Sequence, residues 1–385
     1  MSTREFIHHS LYHPTYGYFS KQAQVFTLDE PIEFNKIKNN DGFMKHLASL
    51  YEIQEQNQES KQIWHTPTEI FQPWYGNALA NYILTQYKSD NKGNEYLDIY
   101  EIGAGNGTLM SNILDYIRMT EPQIYTKTRY NIIEISHQLS KRQYKQAEKT
   151  NHKVQIINKS IFDWSDAVPQ PCFFIAMEVL DNLSHDLVRY DSQTLEPLQG
   201  MVLIDDTGDY EQVYQPVIDP LLSRYLETRA RTTYQNPIFS WKNKLKNSLN
   251  PLQGNMTDME YIPTNAFRLL EILNTCFSNH RLLISDFSYL PDTIPGINAP
   301  VVQTRYKKTM VPCSTYLVQP GWFDIFFPTD FGLLNELYGL TNGKVGMVKS
   351  HGEFLQMYAQ VEGTRTIENE NPMLSFYENV QFFTS

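Results

Sequence analysis

The sequence predicts an α/β protein with a doubly wound, mostly parallel sheet, an N-terminal helical arm, and an inserted and C-terminal α+β region. Three observations support this prediction. Apolar strands alternate with amphipathic helices from residue 96 to residue 178, a glycine-rich turn joins the first of these strands to its helix, and 385 residues exceed what one minimal core needs. Alternating strands and helices of this kind build right-handed βαβ units.

The first half of the chain divides into an arm and a core. Residues 1–62 form the arm, whose polar stretch at 52–62 fits a loop or a frayed helix. Residues 63–183 form the core, which opens with apolar residues at helical spacing over 69–86. The further core elements are predicted as strands at 96–102, 129–135, 153–159 and 171–178 and helices at 107–119 and 136–150.

The second half of the chain has a different pattern of predicted elements. Residues 184–280 fit a substrate or lid region, with a hairpin turn at Thr207-Gly208 and an Asn-rich loop at 234–258. Residues 281–385 are expected to complete the sheet with further strands. The elements predicted here are helices at 220–233 and 264–277 and a strand at 281–287.

Composition narrows the classes of function. The 32 Lys and Arg against 43 Asp and Glu give a net charge of −11, which argues against a protein that holds nucleic acid by covering its phosphates. The three cysteines are far apart, so a reducing compartment is expected. No stretch approaches the length of apolar chain that a membrane helix needs, so we do not expect an integral membrane protein. The histidines at 8, 9 and 13 lack further ligands, and no metal site is predicted.

The sharpest motif runs from Glu101 through Gly103, Gly105 and Gly107 to Thr108, at a junction of strand and helix. Glycines there let backbone approach a ligand closely. The G-x-G-x-G spacing puts Thr108 where a dinucleotide fingerprint has its third glycine, and a carboxylate before the first glycine suits a cation. We therefore predict S-adenosyl-L-methionine, which carries a sulfonium and an ammonium but no phosphate, with all four of these motif residues from Glu101 to Gly107 at its site.

Further acids follow the other predicted strands. Glu134 ends the second strand, where a carboxylate can accept both ribose hydroxyls, and Asp163 is placed to accept from an adenine amine. Glu178 and Asp181 follow the fourth strand, at the edge of the sheet where ligands bind. Each acid taken singly fits a solvated loop residue or a helix N-cap equally well, but their joint spacing favours a cofactor site.

Several segments resemble one family, the MidA-type proteins, also known as the mitochondrial complex I assembly factor 7-type protein arginine methyltransferases. E-I-G-A-G-N-G-T-L-M at 101–110 is similar to the family's E-L-G-P-G-R-G-T-L-M, and M-E-V-L-D-N-L at 177–183 is similar to N-E-F-x-D-A-L. Ala104, Asn106 and Met177 depart from the family residues. The other similar segments are 5–19, 66–72, 133–143, 283–287, 324–331 and 352–355.

The resemblance implies a Rossmann-like class I methyltransferase that methylates an arginine of a respiratory complex I core subunit. Glu69, Glu178 and Asp181 are then the expected catalytic carboxylates, and S-adenosylmethionine is the cofactor. The resemblance also implies the mitochondrial matrix, although residues 1–17 lack the Arg- and Ser-rich composition of an import leader. The alternative is a catalytically divergent family member that binds cofactor and acts as an assembly or scaffold factor.

Overall fold

A computed structural model describes residues 1–385 except 22, 29, 57–61, 91–95, 240–254 and 307–308. The strands are β1 Ala23–Val25, β2 Gln62–Trp64, β3 Leu97–Ile102, β4 Thr128–Ile133, β5 Val154–Ile157, β6 Cys172–Met177, β7 Asp186–Tyr190, β8 Pro197–Ile204, β9 Tyr210–Pro216, β10 Glu260–Ile262, β11 His280–Phe287, β12 Val301–Tyr306, β13 Thr309–Pro312, β14 Asp324–Phe326, β15 Met347–Ser350 and β16 Val380–Thr384. The helices are α1 Thr3–Tyr12, α2 Tyr18–Lys21, α3 Asn40–Gln56, α4 Pro67–Ile70, α5 Trp74–Ser89, α6 Thr108–Thr120, α7 Pro122–Tyr125, α8 His137–Thr150, α9 Pro220–Arg229, α10 Thr264–Cys276, α11 Phe331–Asn342, α12 His351–Tyr358 and α13 Pro372–Ser375.

The central sheet has seven strands in the order β5-β4-β3-β6-β11-β16-β15. The five strands from β5 to β11 are parallel to one another, and β16 runs antiparallel to both of its neighbours. The prediction of a doubly wound, mostly parallel sheet is confirmed. Since the chain passes from β5 back across the sheet to β6, the strand order reverses between β3 and β6, and a crevice forms at their carboxyl ends.

The two strands beside this crevice are buried along their whole length. Every residue of β3 and of β6 is buried, as expected for parallel strands covered on both faces. The apolar stripe of α6 packs onto the sheet through Leu109, Ile113 and Ile117. Burying one such side chain contributes about 2 kcal/mol, so strand and helix hold the turn between them firmly.

The arm is fastened to a second, antiparallel sheet of order β10-β7-β8-β9. Ser2 and Glu5 form a capping box at the start of α1. Arg4 donates to Asp186 of β7 at 2.7 Å and to Asp219 at 2.5 Å. Because the Asp186 side chain is fully buried, this contact ties α1 to a fixed position.

The predicted helix over 69–86 is wrong at residues 71–73. The chain instead forms α4, then a break, then α5, and the Gln72–Pro73 peptide is cis. Pro73 lacks an N–H group and disfavours a helical residue before it, so α5 begins only after it. Residues 52–56 belong to α3, whereas 57–61 and most of the predicted loop at 234–258 lie outside the described residues. No helix in the described part of the chain is long and apolar enough to cross a bilayer.

Candidate functional site

A cavity of about 670 Å³ opens at the carboxyl ends of β3, β4 and β6. Its walls come from the turns after these three strands, from the arm, from α4 and from one face of a three-stranded sheet, β13-β12-β14. Cavities of this size hold small molecules or cofactors, and this edge of a doubly wound sheet is the usual place for them.

Glycines shape the turn after β3. Gly103 and Gly105 line the cavity with φ angles of +68° and +51°, in the left-handed region that favours glycine. A Cβ atom on Gly103 would lie 2.6 Å from Cγ2 of Val179. The turn therefore exposes backbone without side chains to the cavity, and a side chain at position 103 would displace the neighbouring turn after β6.

Glu134 follows β4 and is 4% exposed. Its carboxylate oxygens accept from the Ser136 N–H at 2.7 Å and from Gln143 Nε2 at 2.8 Å. Gln143 Nε2 also donates to the carbonyl oxygen of Gly105 at 3.0 Å, which joins Glu134 to the glycine turn. Each carboxylate oxygen has a second lone pair, so Glu134 can accept two further hydrogen bonds from a ligand.

Glu101 is the last but one residue of β3 and is 2% exposed. The hydroxyl of Tyr130 donates to its carboxylate at 2.8 Å. Burial raises the pKa of Glu101 to about 7; the hydrogen bond from Tyr130 opposes this effect and the charge of Glu134 adds to it. A cation in the cavity would therefore favour the ionised form of Glu101.

Glu69 enters the cavity wall from α4. One of its carboxylate oxygens accepts from Thr108 Oγ1 at 2.8 Å and from Asn106 Nδ2 at 3.2 Å. Burial raises the pKa of Glu69, and these two hydrogen bonds oppose the effect. Glu69 thus holds the glycine turn and the first residue of α6, a contact that the sequence did not predict. Its contact with a substrate stays a prediction.

Glu178 directly follows β6 with a φ of +53°, a conformation that non-glycine residues rarely adopt. Asp286 of β11 fixes this turn. One oxygen of its carboxylate accepts from the N–H groups of residues 179, 180 and 181, at 3.1, 2.7 and 3.2 Å. A strained backbone conformation persists only where surrounding contacts hold it, and here the Asp286 carboxylate does so. Glu178 and Asp181 both face the cavity as a result.

A third carboxylate, Asp324 of β14, lies beside these two. Asn182 connects it to Asp181: its Nδ2 donates to Asp324 at 3.0 Å, and its backbone N–H donates to Asp181 at 2.9 Å. Burial raises the pKa of Asp324 to about 7. Burial also raises the pKa of Asp181 well above its usual range, and the charges of Asp286, Asp324 and Glu178 add to this.

We call Glu178, Asp181 and Asp324 the acidic cluster. Within the ranges that the structure describes, no Lys, Arg or His forms an ion pair with any of the three. Burial and the charge of Asp286 raise the pKa of Glu178 well above its usual range. Asp181 and Asp324 are buried and Glu178 is half-buried. Carboxylates removed from water without a counter-ion are costly, so this end of the cavity is suited to a cationic ligand.

Seven of the nine predicted site residues line the cavity, and Gly107 and Asp163 do not. Gly107 is the N-cap of α6, with a φ of +82°. Asp163 ends a short 3₁₀ turn whose preceding residues, Ile161 and Phe162, do line the cavity. The nine residues are Glu69, Glu101, Gly103, Gly105, Gly107, Glu134, Asp163, Glu178 and Asp181.

Sequence reasoning missed four residues that organise the cavity: Gln143, Asn182, Asp286 and Asp324. All four fall in segments that resemble the family, and this was the signal that could have identified them. Their hydrogen bonds depend on which segments meet in the fold. The arm also contributes, since the hydroxyl of Tyr12 donates to the carbonyl oxygen of Asn182 at 3.2 Å.

Comparison with known families identifies this arrangement. A family model described as "Putative S-adenosyl-L-methionine-dependent methyltransferase" matches residues 78–348, which is well over half of the chain. The chain belongs to this methyltransferase family. The resemblance inferred from the motifs is thereby confirmed, and so is S-adenosylmethionine as the cofactor.

Two solved structures share the fold of this S-adenosylmethionine-dependent methyltransferase. A COG1565 superfamily member from Burkholderia thailandensis, bound to S-adenosyl-homocysteine, has a TM-score of 0.61 at 15% identity and covers 100% of this chain and 87% of its own. A second, native structure of a COG1565 superfamily protein from the same organism has a TM-score of 0.58 at 13% identity, with 100% and 86% covered.

A curated relative of the methyltransferase is also similar over most of its length. It is the protein arginine methyltransferase NDUFAF7 homolog, mitochondrial, of Schizosaccharomyces pombe. The two chains are 22% identical over 391 residues, which cover 95% of this chain and 81% of the relative.

Proposed function

We propose that this methyltransferase transfers a methyl group to an arginine side chain of a protein. The observation that carries the proposal is the acidic cluster: Glu178, Asp181 and Asp324 line one end of the cavity, and no cationic side chain of the described residues is paired with them. A guanidinium group fits such a site because it is planar, always charged and donates to carboxylates in a fixed fork.

The cofactor is proposed to occupy the part of the cavity that the glycine turn and Glu134 enclose. Gly103 and Gly105 expose bare backbone there, and Glu134 can accept from a pair of ribose hydroxyls. Glu101 suits a positively charged ligand, since ionisation of its buried carboxyl would then be favoured. Asp163 is proposed to accept from the adenine amine near Phe162, and Gly107 to set the start of α6.

The acidic cluster is proposed to orient the guanidinium and to receive its proton. S-adenosylmethionine, when bound, supplies the methyl group from a sulfonium that becomes a neutral thioether. Glu178 and Asp181 would hold the attacking nitrogen in line with that methyl, and a carboxylate whose pKa lies above its usual range is a competent base near neutral pH. The proton of the nitrogen then passes to the carboxylate and on to water.

The proposed setting is the mitochondrion, with a core subunit of respiratory complex I as substrate during assembly. The support is the 22% identity over 95% of the chain to the relative whose name states arginine methylation and a mitochondrial location. The sequence resemblance to the complex I assembly factor 7-type family favours the same substrate.

A cofactor-binding assembly factor without methyl transfer is the second candidate. The residue that favours it is Met177, which lines the cavity immediately before Glu178 where the family motif has an asparagine. Its sulfur accepts a long contact of 3.9 Å from the hydroxyl of Tyr75. A thioether in place of an amide removes polar groups from the substrate side of the cavity.

Two measurements test the proposal. Calorimetric titration with S-adenosylmethionine should show binding, and Gly103→Arg should abolish it. Mass spectrometry should then find methylarginine in complex I core subunits that were incubated with the protein and cofactor, and none with Gly103→Arg. Normal cofactor binding without any methylarginine would contradict methyl transfer and support the assembly-factor candidate.

A further inference from the structure

One wall of the cavity is a single face of the sheet β13-β12-β14. The strand register places Asp324, Phe326, Arg305 and Met310 on this face, and all four line the cavity. Ile325, on the opposite face, is fully buried in the core. The cavity face therefore runs without interruption from the acidic cluster at β14 to β13.

β13 is an edge strand, because within the described part of the chain it pairs only with β12. Its residues Thr309–Pro312 are all exposed and uncharged. The N–H of Cys313 donates to Val302 of β12 at 2.8 Å, so by antiparallel alternation the N–H and C=O of Met310 point away from β12. Met310 is 42% exposed, although apolar edges without charge are normally protected in soluble sheets.

We propose that β13 docks an extended segment of the substrate protein, which adds a fourth strand to this sheet. Such pairing takes affinity from main-chain hydrogen bonds and specificity from alternate side chains. The inference rests on the proposed function, since it takes a protein arginine as substrate. Charge supports the occupant at the inner end of this face: a cationic side chain that passes Arg305 of β12 meets the acidic cluster, and no charge on β13 opposes backbone pairing.

Strand spacing sets where the arginine lies in that segment. A strand added beyond β13 is three spacings from β14, or about 14 Å. An extended arginine side chain reaches only about 7 Å from its Cα atom. The arginine is therefore not one of the paired residues but follows or precedes them by roughly one to three residues, where the segment turns over Met310 into the cavity.

The test uses the full chain with S-adenosyl-homocysteine and a labelled synthetic peptide in which one arginine flanks a short Thr- and Val-rich segment. Fluorescence anisotropy measures its Kd for Met310→Pro and for the matched variant Met310→Ala. Both variants lose the side chain, but only proline removes the outward N–H. We expect Met310→Pro to bind at least about fivefold more weakly than Met310→Ala, the loss of one hydrogen bond.

A second experiment leaves the protein unchanged. The same peptide, N-methylated at alternate residues of its Thr- and Val-rich segment, should lose affinity by a similar factor. This experiment decides the matter if thermal melting shows that Met310→Pro does not fold. Equal Kd values in both experiments would overturn the proposal. Failure of the unmodified peptide to bind would overturn it too, as would a dimer that Met310→Pro converts to a monomer, because a second copy of the chain would then occupy the edge.

Mass spectrometry of the peptide after incubation with S-adenosylmethionine separates this inference from the proposed function. A peptide that depends on β13 for binding but gains no methyl group would contradict arginine methylation and leave the docking surface standing. A peptide that is methylated equally well with and without its backbone N–H groups would contradict the docking surface alone.

Discussion

At the scale of single residues, the carboxyl groups are the unusual feature of this methyltransferase. Water stabilises an ionised carboxylate, and Glu101, Asp286 and Asp324 are each at least 93% removed from it, at 2%, 0% and 7% exposure. Each of these three groups has its pKa raised to about 7, with burial as the largest cause. Glu101 and Asp324 line the cavity, and perturbed carboxyl groups that gather in a cavity indicate a functional site.

Glu178→Gln tests the acidic cluster. Glutamine has nearly the same shape but carries no charge and cannot accept the proton of the substrate. We expect kcat/KM for methylation to fall about 100-fold or more, with cofactor affinity unchanged within about threefold. Single-turnover methylation assays and calorimetry measure the two quantities.

The matched control is Glu148→Gln, which neutralises an exposed glutamate of α8 that does not line the cavity. It should leave the methylation rate as it is. An equal loss in both variants would mean that the effect arises from net charge, and an unchanged rate in Glu178→Gln would remove Glu178 from the proposed machinery.

At the scale of elements, two turns meet at the carboxyl edge of the sheet. The glycine turn after β3 is held by Glu69 and Gln143, and the turn after β6 is held by Asp286. Gly103 packs directly against Val179 of the second turn, so the two turns are in contact at this point. A side chain at Gly103 is therefore expected to disturb both the cofactor site and the acidic cluster.

Gly103→Ala and Gly208→Ala form a matched pair. Both glycines have positive φ angles, +68° and +89°, but a Cβ on Gly208 meets nothing within 4 Å. Each substitution therefore costs roughly 1 kcal/mol in backbone strain. Only Gly103→Ala also adds a contact of 2.6 Å with Val179. Calorimetry should show S-adenosylmethionine binding at least about tenfold weaker in Gly103→Ala and unchanged in Gly208→Ala. Equal affinities in the two variants would show that the glycine turn tolerates displacement.

For the whole molecule, buried histidines and buried carboxyl groups change the free energy of unfolding in opposite directions as pH rises. Burial lowers the pKa of His65, His280 and His351 to about 4 and that of His185 to about 3. A histidine that stays neutral when folded stabilises the protein increasingly as pH rises to its unfolded pKa of about 6.5, and no further. The histidines therefore contribute no change above that pH.

The carboxyl groups whose pKa values are raised change the free energy of unfolding in the opposite direction. A carboxyl with a pKa near 7 when folded and about 4 when unfolded binds its proton more tightly in the folded state, so the free energy of unfolding falls as pH rises through 7. Between pH 6.5 and 8 we expect the protein without ligand to lose about 2 kcal/mol in total from Glu101, Asp286 and Asp324.

Denaturant unfolding at several pH values measures this loss. Asp324→Asn should make the slope shallower, since it removes one titrating carboxyl group and the charge that helps to raise the pKa of Asp181. S-adenosylmethionine at saturation should reduce it further, because a cationic ligand stabilises the ionised carboxylates. A free energy of unfolding that rises between pH 6.5 and 8 would contradict the assignment of these groups.

The sequence alone predicted a mostly parallel sheet, the glycine turn and seven of the residues that line the cavity. The pattern of apolar residues predicts strands such as β3 and β6, since parallel strands buried on both faces are continuous apolar runs. Residues that follow such strands must meet at one edge, which is why Glu101, Glu134, Glu178 and Asp181 were predicted together. The break at Pro73 was missed because the apolar spacing continues across it.

Which distant groups complete the site depends on how the elements pack. Asp286 lies more than 100 residues after the turn that it holds, and Asp324 reaches the cavity on a separate three-stranded sheet. Glu69 turned out to hold the glycine turn, and Gly107 and Asp163 lie outside the cavity lining. Local periodicity reflects which face of an element is buried, whereas hydrogen bonds and electrostatic coupling between distant segments depend on how those elements pack, and no local pattern encodes that.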